Sequence, residues 1–272
     1  MLQIQVPSGI MNRRLVMKRV TKIMAAVFAA ALTASSAFAD EKGYEIMKQV
    51  ADFKEPQFSH TVVNIVLKDK NGNGETWVVE EFGKNENGLA SLTMIFQGGS
   101  KKGTRFLQIQ NDGKPDDKFI YLPSLKAARR VNSSEGSKSF LGTDVTYDDL
   151  TTRDVDQDEH TYMGEEAKNG FDCYKIKEDP REAGAQYAYR ITWIDKKTMY
   201  PIYTEMYNKS GKLVKTLTVD SITPNSGYDI PMSVTLCDTS SGHSTTMAIQ
   251  KIAIDQPIPA RVFTQSFLET GK

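Results

Sequence analysis

Histidine and cysteine are both scarce in this chain, and their scarcity narrows the chemistry it can perform. His60, His160 and His243 are scattered and none lies in an H-E-x-x-H pair. No G-x-S-x-G elbow, P-loop or dinucleotide fingerprint is present either. Aspartate and glutamate are plentiful, but a solvated surface accounts for them without a paired-carboxylate site. The one enzymatic alternative left is a hydrolase with an unfamiliar site, so no enzyme and no cofactor are expected. The only cysteines are Cys173 and Cys237, which excludes lipidation at a mature N-terminal cysteine. Each lies in a strand-like run, and an oxidising compartment would allow a disulfide; two buried thiols fit the sequence as well. No stretch of about 20 apolar residues is present to span a membrane.

What the N-terminus does contain is an export signal. Arg13, Arg14, Lys18, Arg19 and Lys22 precede an apolar run from Ile23 to Leu32, and Ala37-Phe38-Ala39 follows. A basic segment, a short apolar core and an A-x-A site read as a secretory signal peptide over residues 1–39, with Asp40 starting a soluble mature chain. Met17 would begin a more ordinary signal. The whole sequence has 34 basic and 34 acidic residues. Removing five basic and no acidic residues leaves a mature net charge of about −5. Nucleic-acid binding, which relies on neutralising phosphates, is not expected.

Residues 40–272 suit one domain of the larger all-β kind. An amphipathic helix is predicted around Tyr44–Phe53, ended by Pro56. Short β-rich runs follow near His60–Asp69, Thr76–Phe82, Leu89–Phe96, Thr104–Gln110 and Lys118–Leu122. A second group lies near Tyr162–Ala167, Phe171–Lys177, Tyr187–Asp195, Tyr200–Asn208, Leu213–Ile222, Ile230–Cys237 and Thr245–Ile254. Asn-Gly and Ser-Gly connectors supply the positive φ of tight hairpins. The expected fold is mainly β (α+β): one strongly curved antiparallel sheet of eleven to twelve strands, a half-barrel, with helices and a long flap over its concave face. A helix or turn near Phe263–Leu268 closes the chain.

Apolar residues on these strands suggest a lipid cavity lined by some of Trp77, Met94, Phe96, Leu107, Phe119, Tyr121, Tyr189, Trp193, Met206 and Met232. For any single one, a plain core role is the simpler account. Between residues 122 and 160 the alternation disappears, and a loop this long is functional or disordered. Leu125, Val131, Phe140, Leu141, Val145, Tyr147 and Leu150 are spaced among polar residues, which argues for a flap packed over something. Arg129 and Arg130 can pair with Asp144, Asp148 or Asp149 and hold the flap, or meet an anionic headgroup. Asp69, Asn71, Asn73 and Glu80 match a calcium-loop pattern, but the strand-like flanks favour a hairpin turn. Asp154, Asp156, Asp158 and Glu165 have ligand spacing without the glycine, and an acidic loop is the default there.

The flap is also where a family resemblance becomes specific. Tyr121-Leu122-Pro123, then Leu125-Lys126-Ala127-Ala128-Arg129-Arg130, then Ser139-Phe140-Leu141-Gly142-Thr143-Asp144-Val145-Thr146-Tyr147-Asp148-Asp149-Leu150 resemble the LolA-like outer-membrane lipoprotein-sorting family. Lys102 to Leu107, Tyr189 to Asp195, Pro201 before Glu205-Met206-Tyr207-Asn208, and Phe263-Thr264 with Leu268 extend the likeness over nearly the whole mature chain. The resemblance implies a half-open sheet carrying acyl chains, without covalent chemistry. The expected setting is the periplasm, as a monomer that binds an acyl lipid or lipoprotein. An inner-membrane exporter (RND-type) or an outer-membrane acceptor would be its partner. The alternative is an accessory or regulatory subunit of a lipid exporter or envelope-stress system, using the same fold for protein contact.

Overall fold

The computed structural model describes residues 40–272, so the expected signal peptide lies outside the described residues. Helix α1 spans 40–51. Strands β1 (Phe58–Lys68), β2 (Gly74–Glu86), β3 (Leu89–Phe96), β4 (Arg105–Asn111), β5 (Lys114–Leu122) and β6 (Ala127–Arg130) follow. After the flap come β7 (Asp158–Lys168), β8 (Phe171–Pro180), β9 (Tyr189–Asp195) and β10 (Pro201–Tyr207). The last strands are β11 (Leu213–Asn225), β12 (Tyr228–Asp238) and β13 (Ser244–Ile254), and helix α2 (Gln265–Thr270) ends the chain.

All thirteen strands form one antiparallel sheet, ordered β6-β5-β4-β3-β2-β1-β13-β12-β11-β10-β9-β8-β7. That is one more strand than expected, because β6 pairs with β5 inside the predicted flap, Leu122 opposite Ala127 and Phe119 opposite Arg130. The hairpin turns are those the sequence specifies. Asn87-Gly88 and Asn169-Gly170 both take two consecutive positive φ angles, 55° and 80° in the first and 53° and 86° in the second, the twist that matches right-handed strands. In β1, Thr61, Val63, Ile65 and Leu67 are buried and the intervening residues are not, the period of two of a strand with one face inward.

The sheet is open but strongly curved, consistent with a half-barrel. Lys114 and Asp116 of β5 line one cleft together with Ala183 to Tyr187 just before β9, although eight strands separate β5 from β9 in the sheet order. Laid flat, those strands would be about 40 Å apart. The concave, inner face is covered by two elements. On β7–β9, α1 packs Ile46, Met47 and Val50 against Tyr162, Tyr174, Ile176 and Ile194. On β1–β5, the flap forms the cover. The outer face of β3–β5 is covered by α2, whose Phe267 and Leu268 join Val262, Phe263 and Leu107 in a second apolar cluster. Thr264 caps that helix, its Oγ1 accepting from the Phe267 N–H at 3.2 Å, and Arg105 Nη1 donates to the Leu268 carbonyl at 2.5 Å.

Candidate functional site: an apolar wall under a flap

β6 and β7 are the two edges of the sheet, so residues 131–157, which join them, cross the open side of the half-barrel. The crossing segment is built from tight local turns. A single bridge pairs Ser139 with Thr146, and Leu141 (φ 58°) and Gly142 (φ 99°) turn the tip between them. The Ser139 hydroxyl donates to the Thr143 carbonyl at 2.6 Å and accepts from the Gly142 N–H at 3.1 Å. Positive φ at a leucine is costly; here the tip uses it to aim Phe140 at the sheet.

Beneath lies an apolar wall: Val63, Ile65 and Leu67 of β1, Trp77 and Val79 of β2, Met94 and Phe96 of β3, Phe106 of β4 and Ile120 of β5, all buried. Cross-strand pairs such as Ile65 with Trp77 and Met94 with Phe106 put these side chains on one face. Phe140 fills it from the flap, its ring 4.9 Å from Phe106, 5.5 Å from Tyr147 and 6.2 Å from Phe96. Leu141 and Leu150 pack beside it. Two open clefts among the described residues lie elsewhere and have mixed polar and apolar linings. One, of about 830 Å³, lies between α1 (Met47, Val50), Thr152–Val155 and the hairpin ends at Asn85, Tyr228 and Asp255. The other, of about 630 Å³, is bordered by Lys118, Tyr147 and Tyr187. Not one of the ten expected cavity residues lines either cleft.

A buried polar latch ties the flap to the sheet. Asp144 Oδ2 accepts from the Thr245 hydroxyl and contacts His243 Nδ1, both at 2.7 Å, and the Asp144 N–H donates to Thr245 Oγ1 at 2.9 Å. The Lys215 ammonium donates to the Asp144 carbonyl at 2.6 Å and pairs with Asp149 at 3.1 Å. Asp149 also accepts from the Tyr187 hydroxyl at 3.0 Å, and burial, followed by that carboxylate, pushes the Tyr187 phenol upward. On the other side, Lys118 donates to the Tyr147 carbonyl and to the Thr151 hydroxyl, both at 2.6 Å; burial lowers its pKa. At the flap's far end the buried Asp158 holds Arg153 at 2.9 Å and Arg190 at 2.6 Å. Burial is costly for each of these groups and is offset only because each has partners. Thr245 donates to Asp144 rather than to His243, so this trio lacks the nucleophile-to-base contact of a catalytic triad.

Several expected site residues lie elsewhere than on this wall. Leu107, Phe119 and Tyr121 belong to the outer face, packed with the α2 segment, because they alternate with the inward Phe106, Lys118 and Ile120. Tyr189 and Trp193 are also outward: Trp193 packs with Cys173 and Ile202, donates to Glu166 at 2.6 Å and lies beneath the ammonium groups of Lys168 and Lys175. Tyr189 stacks on Tyr207 at 4.5 Å. Met206 pairs with Lys215 in the other half of the sheet, and Met232 is half-buried on β12. Trp77, Met94 and Phe96 are on the wall, under the flap.

Arg129 and Arg130 do not pair with Asp144, Asp148 or Asp149. As neighbours on β6 they diverge, Arg129 to Glu135 at 2.8 Å and Arg130 to Asp117. Leu125 stands outside the flap's core, 61% exposed, and Asp148 is exposed too, although partial desolvation raises its carboxyl. Cys173 and Cys237 are free; β9, β10 and β11 separate their strands, about 19 Å of sheet, too far for a disulfide. Burial pushes the Cys173 thiol up to about 11. Asp69 uses its carboxylate on the N–H groups of Asn71 and Asn73 at 2.8 and 2.9 Å, closing the hairpin turn, while Glu80 meets His60 at 2.8 Å and Gln97 at 2.9 Å. Among the described residues no cluster of metal-ligating side chains forms.

A family model described as an uncharacterized protein matches residues 88–270, and the chain belongs to that family. A solved domain from Vibrio parahaemolyticus, named for outer membrane lipoprotein sorting, is 24% identical over 85% of this chain and 99% of its own, with a TM-score of 0.79. A DUF1329 family protein from Desulfovibrio piger is 22% identical with the same coverage and the same TM-score. A LolA superfamily protein from Nitrosomonas europaea is 17% identical over 83% of this chain and 98% of its own, with a TM-score of 0.63. The fold is LolA-like. No curated protein matches the chain in sequence. Within this LolA-like frame, the latch residues Lys118, Lys215, Tyr187 and Thr245 were not read from the sequence. Their one signal is a lysine in the buried phase of a strand, Lys118 in step with Ile120 and Lys215 in step with Leu217.

Proposed function

We propose that this LolA-like protein is a periplasmic carrier for an acyl lipid or a lipid-anchored protein, and that its binding surface is the wall now occupied by the flap. One observation carries the reading: the apolar inner face of β1–β5 is closed by a crossing segment, through Phe140, Leu141 and Tyr147, rather than by a second sheet. Such a plug can be exchanged for cargo without unpairing a strand. Each buried methylene contributes about 0.8 kcal/mol, so a partly inserted acyl chain recovers what one displaced aromatic ring gave up. Trp77, Met94 and Phe96 would line the site, and a flexible thioether beside aromatic rings suits imperfectly fitting chains. Single-domain organisation from Asp40, export through residues 1–39 and action as a monomer complete the proposal.

Native mass spectrometry of the protein purified from periplasm, with lipid extraction alongside, tests it. Acyl adducts that disappear in Met94→Asp support the carrier. A clean apo mass and no uptake of fluorescent acyl probes would sink it. The second reading, an accessory subunit of an inner-membrane lipid exporter or an envelope-stress system, is favoured by the same filled interior. It predicts an unliganded protein whose flap stays shut when its partner binds.

A further inference from the structure

Six hairpin loops lie at one end of the strands, and five of them, all but the β8–β9 loop that carries Arg181, Glu182 and Tyr187, form one continuous row. The β10–β11 loop meets the β12–β13 loop through Lys212 Nζ and Ser240 Oγ at 3.4 Å. That loop meets β1–β2 where Gly242 approaches Lys70. The β3–β4 loop joins next, with Ser100 Oγ donating to Glu75 at 2.9 Å, and Gly103 lies against Pro123 of the β5–β6 turn.

This row carries Lys68, Lys70, Lys102, Lys126, Lys209 and Lys212, all exposed. None forms an ion pair among the described residues; the paired lysines lie elsewhere. The nearby carboxylates are engaged: Asp69 with Asn71 and Asn73, Glu75 with Ser100, and Asp238 with the N–H groups of Ser240 and Ser241. The opposite strand ends mix both signs, with Glu55, Glu86, Asp112, Asp229 and Asp255 beside Lys114, Lys168, Lys196 and Lys197. A protein of negative mature charge therefore has one cationic rim. At the β5–β6 end of it stands Leu125, 61% exposed. The Leu125 and Lys126 N–H groups both donate to the Leu122 carbonyl at 3.0 Å, and Lys126 takes φ 49°, so the turn holds the leucine outward.

We propose that this lysine rim, with Leu125 as an apolar contact, docks the protein on an anionic lipid bilayer. The composition selects a bilayer over a protein. The five loops contain no arginine, tryptophan or tyrosine, the side chains that anchor protein interfaces, whereas lysine is depleted there. Unpaired lysines on loop tips act as strongly hydrated point charges, suited to a diffuse field of phosphates. The geometry also gives docking a use. His243, which ends one rim loop, holds the flap tip through Asp144, so a docked rim places the flap's latch at the membrane surface.

Co-sedimentation of the periplasmic protein with vesicles of phosphatidylcholine, with and without phosphatidylglycerol, tests this without any cargo, so its outcome is independent of acyl uptake. Binding is expected only to the anionic vesicles, and high salt abolishes it. The Lys70→Glu/Lys126→Glu/Lys212→Glu variant weakens binding about a hundredfold or more, and Leu125→Ser about tenfold. Lys114→Glu, at the opposite rim, leaves it unchanged. Circular dichroism establishes that each variant is folded. Failure to bind anionic vesicles at low salt, or equal binding by the folded triple variant, overturns the proposal. Rim-dependent capture of an acidic protein without vesicle binding overturns it too.

Discussion

Replacing Phe140 with alanine separates a plug from a piece of fixed core. Phe140 is 2% exposed and its ring meets Phe106, Tyr147 and Phe96. Truncating such a phenylalanine removes about 3–5 kcal/mol of packing, because the hole closes only partly. Where that loss falls is the question. If the flap opens as a unit while the sheet stays paired, the loss falls on flap docking and leaves β-strand pairing intact. Cargo that competes with the flap then binds more tightly, by about two decades for about 3 kcal/mol, until the open form is no longer rare. Titration with a fluorescent fatty acyl probe measures the gain, and hydrogen exchange over residues 131–157 measures the opening. Trp77→Ala, which removes wall rather than plug, weakens the probe instead. The reasoning is refuted if Phe140→Ala lowers the thermal midpoint with no gain in probe affinity and flap amides exchange only with global unfolding.

Three other outcomes follow from single contacts. Gly43→Ala destabilises by about 1–3 kcal/mol in chemical denaturation, although alanine is the better helix former, because its Cβ would lie 2.5 Å from the His160 carbonyl oxygen on β7. Glu81, whose carboxylate accepts from the Thr61 hydroxyl at 3.3 Å, is pushed up to about 7 by burial. The folded state therefore binds the extra proton between its ordinary value and about 7, and stability falls as pH rises through that window. Glu81→Gln removes this slope and gains about 1–2 kcal/mol near pH 8, read from urea midpoints at several pH values. Cys173 and Cys237 both react with a thiol reagent after denaturation without reductant, and reductant leaves the thermal midpoint unchanged; one disulfide per chain would contradict the strand order.

The strands were legible because hydrophobic alternation and Asn-Gly turns are local. Each of the twelve runs marked in the sequence overlaps one strand of the sheet, lying inside its ends or overrunning them by at most two residues, and α1 and α2 fall near their expected places. β6 was not, since Ala127 to Arg130 has no apolar phase: it is a four-residue edge strand with no buried side chain. Period two also cannot say which phase faces inward when both are covered. Phe106 and Leu107 are equally buried, one under the flap and one under α2, so assigning Leu107, Phe119 and Tyr121 to a cavity failed on a fact about a distant helix. The latch was hidden for a related reason. Asp144 meets Thr245 from 101 residues away, and no local pattern encodes that partnership.

Neighbours in the sheet are neighbours in sequence on both sides of a single seam, where β1 pairs with β13. Residues 58–130 and 158–254 are thus two local meanders, and each can pair its own strands with little loop-closure cost. Only the seam must wait for the far end of the chain. Joining β13 to β1 and cutting the flap would convert the whole sheet into one uninterrupted meander, with the slow, long-range step removed. The native connectivity places that slow step at the middle of the sheet and the crossing strap at its two edges, so the barrel's curvature is complete only when the last strand has been made.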